Sequence, residues 1–250
     1  MSAWVYTDAD NTLWDTNALF AQAQLALLSA AESFSGARGP GDNDLEYVRQ
    51  FDQAIAASHH SKLRYPPALL LRALQEGLKG SNAKDAAQIA LSQGAVPSER
   101  EANALASYAC IVSSTPPLLP TVREGLELAR RRSISVYVIT EGPAETTHAN
   151  LKELEIESLT SGVLSAQKTP ELYTRLKQRA APHKAFMIGD QPDRDIRFAK
   201  EAGITPILVL GRFRPVWFRE ADVSLADVVV ESFLQAIEWV TARPTAGNQP

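Results

Sequence analysis

The spacing of apolar residues changes twice along the chain. Residues 4–7 form a short run of β-branched and aromatic side chains, Trp-Val-Tyr-Thr, which predicts a buried strand. From residue 16 to residue 112, apolar positions recur every three or four residues, which predicts helices without strands. After Pro116, short apolar runs alternate with helical segments, which is typical of an α/β domain.

The helical stretch contains five predicted helices. Thr16 or Asn17 can cap the first one, and Pro66-Pro67 suits the first turn of the third. The five helices span residues 16–28, 45–57, 66–78, 82–92 and 98–112. A block of this size without a strand signal indicates a separate helical domain. The run Ser113-Ser114-Thr115-Pro116-Pro117 is the best domain boundary on the chain.

Beyond this boundary, strands and helices alternate. Strands are predicted at residues 134–139, at a short segment ending at residue 164, and at 185–188, 206–210 and 227–230, with helices at 121–132, 143–154, 168–176, 192–202 and 232–240. Such alternation predicts a parallel sheet with helices on both faces. Because the first strand belongs to the same sheet, we expect a Rossmann-like, doubly wound α/β core made of residues 1–15 and 116–250. Residues 16–115 are then an inserted all-helical domain.

Composition limits the classes of function. The chain has 250 residues and a net charge of −4, which disfavours a partner that binds through a phosphate backbone. It has no apolar run long enough to span a membrane, and no basic leader at its start. Cys110 is the single cysteine, which favours a reducing compartment, so we expect a cytoplasmic protein. The small polar tail, residues 244–250, is expected to be disordered.

Polar residues stand where the predicted parallel strands end. Asp8 and Asp10 follow the first strand, Thr140 ends the second, and Asp190 ends a later one. Ligands bind beyond the carboxyl ends of the strands in sheets of this kind. Two carboxylates two residues apart repel each other, so their presence at a buried strand end indicates a cation, a proton-transfer role, or both. Taken alone, Asp-Ala-Asp-Asn is equally compatible with a solvated turn.

Four segments in order resemble the motifs of the haloacid dehalogenase superfamily, in its phosphatase branch. The resemblance covers about residues 1–15 and 116–241. The matching segments are Asp8-Ala9-Asp10-Asn11-Thr12, Thr140 at a strand end, Lys168 in Gln167-Lys168-Thr169-Pro170, and Gly189-Asp190 followed by Asp195. Each motif is weak alone, and the four together at the expected strand and helix positions are specific.

The resemblance implies a role for each of these residues. Asp8 would be the nucleophile that forms an aspartyl-phosphate, and Asp10 the general acid and base. Thr140 and Lys168 would hold phosphoryl oxygens. The metal site would hold Mg²⁺, which suits oxygen ligands. Its expected residues are Asp8, the backbone carbonyl of Asp10, Asp190, and Asp195, which orients metal-bound water or Lys168.

Three positions need separate comment. Glu141 stands where relatives often have Asn, so its carboxylate is expected to point away from the phosphate pocket or towards the leaving group, and Glu141 and Gly142 are candidate substrate-binding residues. Asp193 is near enough in sequence to share the role of Asp195, although the spacing favours Asp195. Retention of Asp10 argues against the dehalogenase branch, which lacks this acid.

The helical insertion stands at the position of the family's helical cap, which closes over the site and carries specificity residues. The polar loop of residues 58–65 contains Arg64, whose guanidinium can bind a second anionic group of a substrate. The alternative for Arg64 is an ordinary solvated position between two helices.

The sequence therefore favours Mg²⁺-dependent hydrolysis of a small phosphorylated metabolite, with neither nucleic acid nor membrane as a partner. A phosphotransferase or phosphomutase would use the same residues for its first steps, and sequence does not separate these activities. A non-catalytic regulatory binding module is a further alternative, against which the complete set of motifs weighs. The oligomeric state and the identity of the substrate are not encoded in these patterns.

Overall fold

The computed structural model describes residues 3–60, 65–94, 96–211 and 223–243. The chain divides into two compact units: an α/β unit of residues 1–16 and 115–250, and a helical unit of residues 17–114. Arg64 and the tail of residues 244–250 lie outside the described residues. Among the described helices, none combines the length and the apolarity that a membrane span needs.

The described part of the chain contains six strands and ten α-helices. The strands are β1 Ala3–Thr7, β2 Ser135–Thr140, β3 Gly162–Ser165, β4 Lys184–Gly189, β5 Thr205–Val209 and β6 Val228–Val230. The helices are α1 Thr16–Ser35, α2 Asp44–Ser58, α3 Pro67–Leu78, α4 Ala83–Gln93, α5 Glu99–Val112, α6 Val122–Arg131, α7 Ala144–Glu153, α8 Pro170–Ala180, α9 Arg197–Glu201 and α10 Phe233–Ala242.

The described strands form one parallel sheet in the order β3-β2-β1-β4-β5-β6. This confirms the predicted Rossmann-like α/β fold. β1 lies in the interior of the sheet, and Thr7 pairs with Val138 of β2 and with Ile188 of β4. Parallel strands in this register end at one edge, so the residues after β1, β2 and β4 are neighbours.

Both faces of the sheet are covered, which explains the continuous apolar runs of the strands. Val5 of β1 packs into a cluster on one face that includes Leu126 of α6 and Ile237 of α10. Tyr6, the next residue, points to the other face and packs with Leu172 and Leu176 of α8. The period-two alternation of a strand therefore distributes adjacent apolar residues between two cores.

The helical unit has a hydrophobic core of its own. The core is made by the apolar faces of α1 to α4, and its large members are Leu27, Leu28, Phe51, Ile55, Leu70, Leu71 and Leu74. Side chains cap two of the helices: Asn82 accepts from the amide of Asp85, and Ser98 forms a capping box with Glu101. α1 continues beyond the predicted residue 28 to Ser35, where Gly36 follows with a φ of 73°.

The predicted helix at residues 192–202 is not a continuous α-helix. It begins as a π-helical turn, Pro192–Ile196, and α9 follows. In this wide turn the amides of Asp195 and Ile196 both donate to the carbonyl of Gln191, at 2.8 and 3.4 Å. The turn brings Asp195 Oδ2 to within 3.3 Å of the Gln191 amide nitrogen. Wide turns of this kind often stand at functional sites, because they re-aim a side chain.

Gly125 of α6 is packed against α10 at a distance that leaves no room for a side chain. A Cβ atom at this position would lie 2.7 Å from Phe233 Cδ1 and 3.2 Å from Leu234 Cα. We expect Gly125→Ala to destabilise the protein by about 1–3 kcal/mol through overpacking. This cost exceeds the about 0.5–1 kcal/mol that alanine gains from helix propensity. Urea unfolding measures the difference. Glu127→Ala, on the exposed side of the same helix, is the matched control and should change stability by less than about 0.5 kcal/mol.

Arg72 of α3 fastens the start of α5. Its guanidinium donates to both carboxylate oxygens of Glu101 at 2.9 Å and to the carbonyls of Gly94 and Val96 at 2.5 Å. The hydrogen bonds from Arg72, followed by those from Ser98, lower the pKa of Glu101 to about 2, against a cost of burial. We expect Arg72→Met to reduce stability at pH 7 by about 1.5–3 kcal/mol, since it removes charge-assisted hydrogen bonds.

The pH dependence of this loss is a second test. Because the pKa of Glu101 is lower in the folded state, its contribution is complete above its usual pKa of 4.5 and is lost as the pH falls towards about 2. We therefore expect the difference in free energy of unfolding between the wild type and Arg72→Met to become smaller as the pH is lowered from 6 to 2. Lys79→Met, which breaks an exposed pair with Glu76, should cost little at any pH. A constant difference across the series would contradict the assignment to Glu101.

Candidate active site

The site begins at the carboxyl end of β1. The amide of Asp8 donates to the carbonyl of Ile188 at 2.8 Å, which extends the pairing of β1 and β4 by one residue. Thr140 ends the neighbouring β2, and Asp190 directly follows β4. The structure therefore brings the predicted polar strand ends to one edge of the sheet.

Lys168 joins two of the carboxylates by ion pairs. Its Nζ lies 2.5 Å from Asp8 Oδ1 and 2.6 Å from Asp195 Oδ1. All three side chains are buried, and Asp195 is fully inaccessible. Tyr173 of α8 donates from its hydroxyl to Asp195 Oδ1 at 3.2 Å. Burial lowers the pKa of Lys168, but Asp195 and Asp8 outweigh this effect and raise the pKa above its usual range, so the side chain is an ammonium.

Three carboxylates share this small volume. Asp8, Asp190 and Asp195 each offer an oxygen, and these oxygens lie within 4.8 Å of one another. Burial raises the pKa of Asp8 to about 7 even though Lys168 opposes it. The pKa of Asp190 is also well above its usual range, because of burial and then of the neighbouring Asp8 and Asp195. One ammonium does not neutralise three carboxylates, so the cluster has a deficit of positive charge.

Two oxygens of the cluster fit a divalent cation. Asp8 Oδ2 and Asp190 Oδ1 are buried and have no hydrogen-bond partner among the described residues. A buried carboxylate oxygen without a partner is costly, and binding of a hard cation removes the cost. Oxygen donors in a group that is short of positive charge suit Mg²⁺. The donor set therefore fits the metal that the sequence resemblance implies.

Asp10 is not one of the three clustered carboxylates, but it is near enough to contribute to the raised pKa of Asp8. The side chain of Asp10 is exposed, and its Oδ1 accepts hydrogen bonds from Trp14 Nε1 at 2.9 Å and from Thr16 Oγ1 at 2.7 Å. The turn that carries it is tight: Asn11 has a φ of 57°, a left-handed conformation that Asn tolerates. Trp14 is buried, so the indole that holds Asp10 is itself held by the core.

The segment that follows β2, Glu141-Gly142, lies beside Lys168. The Gly142 amide donates to Thr140 Oγ1 at 3.0 Å, which occupies a lone pair and leaves the hydroxyl hydrogen of Thr140 to donate elsewhere. The Gly142 carbonyl accepts from Ser165 Oγ at 2.6 Å. Glu141 Oε1 accepts from the backbone amide of Lys168 at 3.0 Å, and Glu141 Oε2 pairs with the guanidinium of Arg194.

The two acids of the π-helical turn differ in environment. Asp195 is inaccessible and belongs to the carboxylate cluster, whereas Asp193 is exposed and does not. Gly189 is needed for this arrangement, because a Cβ there would lie 2.5 Å from Asp195 Cγ. The absence of a side chain at the end of β4 allows Asp195 to fold back over the strand.

Sequence reasoning missed three contacting residues. Tyr173 was indistinguishable from a core aromatic, since α8 places it among apolar side chains. No sequence pattern assigned a role to Arg194, which pairs with Glu141, or to Trp14, which donates to Asp10. A hydrogen-bonding atom on a core aromatic gives no signal in a hydrophobic pattern, because the pattern records only the apolar body of the side chain.

Comparison with known proteins identifies the family. A family model of haloacid dehalogenase-like hydrolases matches residues 4–203. The phosphoglycolate phosphatase of Nitrosococcus oceani is 30% identical over an alignment of 176 residues that covers 67% of this chain and 72% of that protein. The family match and this relative confirm the predicted phosphatase branch.

Solved structures agree at the level of the fold. A haloacid dehalogenase-like family hydrolase from Xanthomonas campestris has a TM-score of 0.60 at 17% identity, over 96% of this chain and 95% of that one. YfnB of Bacillus subtilis, solved bound to magnesium, has a TM-score of 0.57 at 12% identity, over 96% and 99%. At these identities the likeness concerns the fold alone, whereas the family model covers most of the sequence. The chain thus belongs to the haloacid dehalogenase-like hydrolases.

Proposed function

We propose that the protein hydrolyses small phosphate monoesters through an aspartyl-phosphate on Asp8, with Mg²⁺ as cofactor. The observation that carries the proposal is the ion pair between Lys168, in the loop before α8, and the buried Asp8 at the end of β1, with Asp190 beside them at the end of β4. Asp8 Oδ1 is taken by Lys168, and Asp8 Oδ2 has no hydrogen-bond partner among the described residues. A carboxylate held in this way is a nucleophile of fixed orientation.

In the first half-reaction, a carboxylate oxygen of Asp8 bonds to phosphorus while the ester P–O bond breaks. The leaving alcohol oxygen takes a proton from Asp10. Because Trp14 and Thr16 donate to Asp10 Oδ1, we assign this proton to Oδ2. The Thr140 hydroxyl and the Lys168 ammonium donate to phosphoryl oxygens, on which negative charge is spread in the transition state.

In the second half-reaction, Asp10 takes a proton from water. The water oxygen bonds to phosphorus as the bond between phosphorus and Asp8 breaks, and inorganic phosphate leaves. The carboxylate of Asp8 and the proton on Asp10 are thereby restored. The net reaction consumes one water and yields one alcohol and one phosphate.

Asp8, Asp190 and the backbone carbonyl of Asp10 would hold the Mg²⁺. When bound, the ion supplies positive charge to the carboxylates and to the phosphoryl oxygens. Asp195 was predicted within the metal site, and we propose that it acts mainly on Lys168. Its Oδ1 accepts from Lys168 and Tyr173, and its Oδ2 from the amide of Gln191.

We further propose that the substrate carries a second anionic group and that the helical unit is a cap that selects it. The Nitrosococcus oceani relative is a phosphoglycolate phosphatase, so phosphoglycolate is the first substrate to test. Arg64, outside the described residues, stays the predicted contact for the second anion. If Arg64 binds a carboxylate or a second phosphate of the substrate, the enzyme should prefer such substrates to simple aryl phosphates.

Asp8→Asn tests the nucleophile. The change is almost isosteric, so we expect an intact fold and a loss of turnover of at least about a thousandfold. Release of phosphate from phosphoglycolate and from an aryl phosphate measures the loss. Asp193→Asn is the matched control, and near-normal activity is expected because Asp193 is exposed and outside the cluster. Normal turnover by Asp8→Asn, with deamidation excluded by mass spectrometry, would refute the aspartyl-phosphate.

The difference in stability between Asp8→Asn and the wild type should also depend on pH. Because the pKa of Asp8 is raised to about 7, the metal-free wild type loses stability as the pH rises from about 4 to 7. In chelator, Asp8→Asn should therefore exceed the wild type in melting temperature by more at pH 8 than at pH 5.

Removal of metal tests the cation. Chelation should abolish activity and Mg²⁺ should restore it, because the carboxylates otherwise repel a phosphate dianion. Mg²⁺ should also raise the melting temperature of the wild type, and Asp190→Asn should reduce this gain, since it removes a charged ligand. Full activity after exhaustive chelation, or an equal thermal gain in Asp190→Asn, would contradict the proposed metal site.

A further inference from the structure

We propose that Glu141 is a positioning residue that holds Lys168 in place for phosphoryl binding. The inference rests on the proposed function for its kinetic consequence and on the structure for its contacts. It assigns to Glu141 a role beyond the predicted contact with substrate, which stays a prediction. The carboxylate would act on the reaction through Lys168 and through the turn that carries Asp195.

The first contact fixes the backbone of Lys168. Glu141 Oε1 accepts the Lys168 amide hydrogen, with the two heavy atoms 3.0 Å apart. Lys168 lies in the loop between β3 and α8 and is 6% exposed, so its amide has little access to water. Loss of an acceptor for a buried amide costs the full desolvation of that group, unlike the loss of an exposed contact.

The second contact reaches the turn after β4. Glu141 Oε2 pairs with the guanidinium of Arg194, and Arg194 directly precedes Asp195. Asp195 in turn binds Lys168 Nζ at 2.6 Å. Lys168 therefore binds Glu141 through its amide and Asp195 through its ammonium group. Arg194 connects these two acids, because it pairs with Glu141 and is the neighbour of Asp195 in the sequence. A long flexible side chain held at both ends has fewer conformations to lose when it binds phosphate.

This arrangement explains why the position is an acid. The Lys168 amide and the Arg194 guanidinium are both hydrogen-bond donors, and a carboxylate offers two acceptor oxygens. An amide side chain offers one acceptor, and its NH₂ would face the guanidinium of Arg194, donor against donor. Glu141 is also largely covered, with a side chain that is 17% exposed. Because the side chain of Arg194 is 41% exposed, this ion pair contributes little by itself, and the contact with the buried Lys168 amide is the more important of the two.

Four single variants and one double variant test the proposal. Glu141→Ala removes both contacts, Glu141→Gln keeps an acceptor for the Lys168 amide, and Arg194→Ala removes only the guanidinium. Glu145→Ala, an exposed acid of the first turn of α7, is the matched control. The readouts are hydrogen exchange at the Lys168 amide in the full-length protein, melting temperature, and kcat and KM for p-nitrophenyl phosphate with Mg²⁺.

In Glu141→Ala, we expect exchange at the Lys168 amide to accelerate and kcat/KM to fall by about ten- to a hundredfold, as for loss of a charge-assisted hydrogen bond. Glu141→Gln should recover most of the exchange protection and part of the activity. The activity that Glu141→Gln does not recover is attributed to its NH₂ group facing the guanidinium of Arg194. Removal of that guanidinium in the double variant Glu141→Gln/Arg194→Ala should therefore give more activity than Glu141→Gln alone. Glu145→Ala should match the wild type in every readout.

If the wild type is an active phosphatase, three results would overturn the proposal. Unchanged exchange in Glu141→Ala would show that the amide does not depend on Glu141. Faster exchange with unchanged kinetics would make Glu141 a structural residue only. If Glu141→Ala melted at a much lower temperature, and Glu141→Gln lost as much kcat/KM as Glu141→Ala, the cause would be general destabilisation of the fold. A wild type without phosphatase activity would overturn the proposed function, and the positioning role with it, even if exchange confirmed the contact.

Discussion

The α/β unit depends on one ammonium group that is buried among carboxylates. Without Lys168, Asp8 and Asp195 would be buried charges with no counterion, a state that costs several kcal/mol for each ion. With it, three separate segments must meet at one point: the end of β1, the loop before α8 and the turn after β4. The same requirement that satisfies charge also builds the proposed catalytic centre, so charge compensation and chemistry constrain the same atoms.

The sheet makes this meeting possible. β1 is an interior strand with apolar residues on both faces, so hydrophobic burial holds its carboxyl end against those of β2 and β4. The hydrophobic core and the site also share a residue, because Tyr173 packs with the apolar cluster beneath α8 and donates its hydroxyl to Asp195. A repacking of that cluster would therefore move a hydrogen bond at the site.

Periodicity is sufficient to predict most of the fold, since it reflects which face each segment buries. The runs at residues 4–7 and 185–188 became β1 and β4 with additions of one or two residues. The prediction was wrong at residues 192–202, where a π-helical turn precedes α9. Local propensity does not register this turn, and its buried Asp195 pairs at 2.6 Å with Lys168, which is distant in the sequence.

The sequence by itself indicated the family, through the resemblance of four motifs, and it located the polar residues that follow the strands. The strand ends followed from the apolar pattern, because that pattern marks where each buried strand stops. Only the tertiary structure decided which polar atoms of the site have hydrogen-bond partners. Asp10 is held by Trp14 and Thr16, Glu141 by Lys168 and Arg194, and Asp8 Oδ2 is without a hydrogen-bond partner among the described residues. Hydrogen bonds such as those of Glu141 join residues far apart in the chain, and their geometry is set by packing, which no local pattern records.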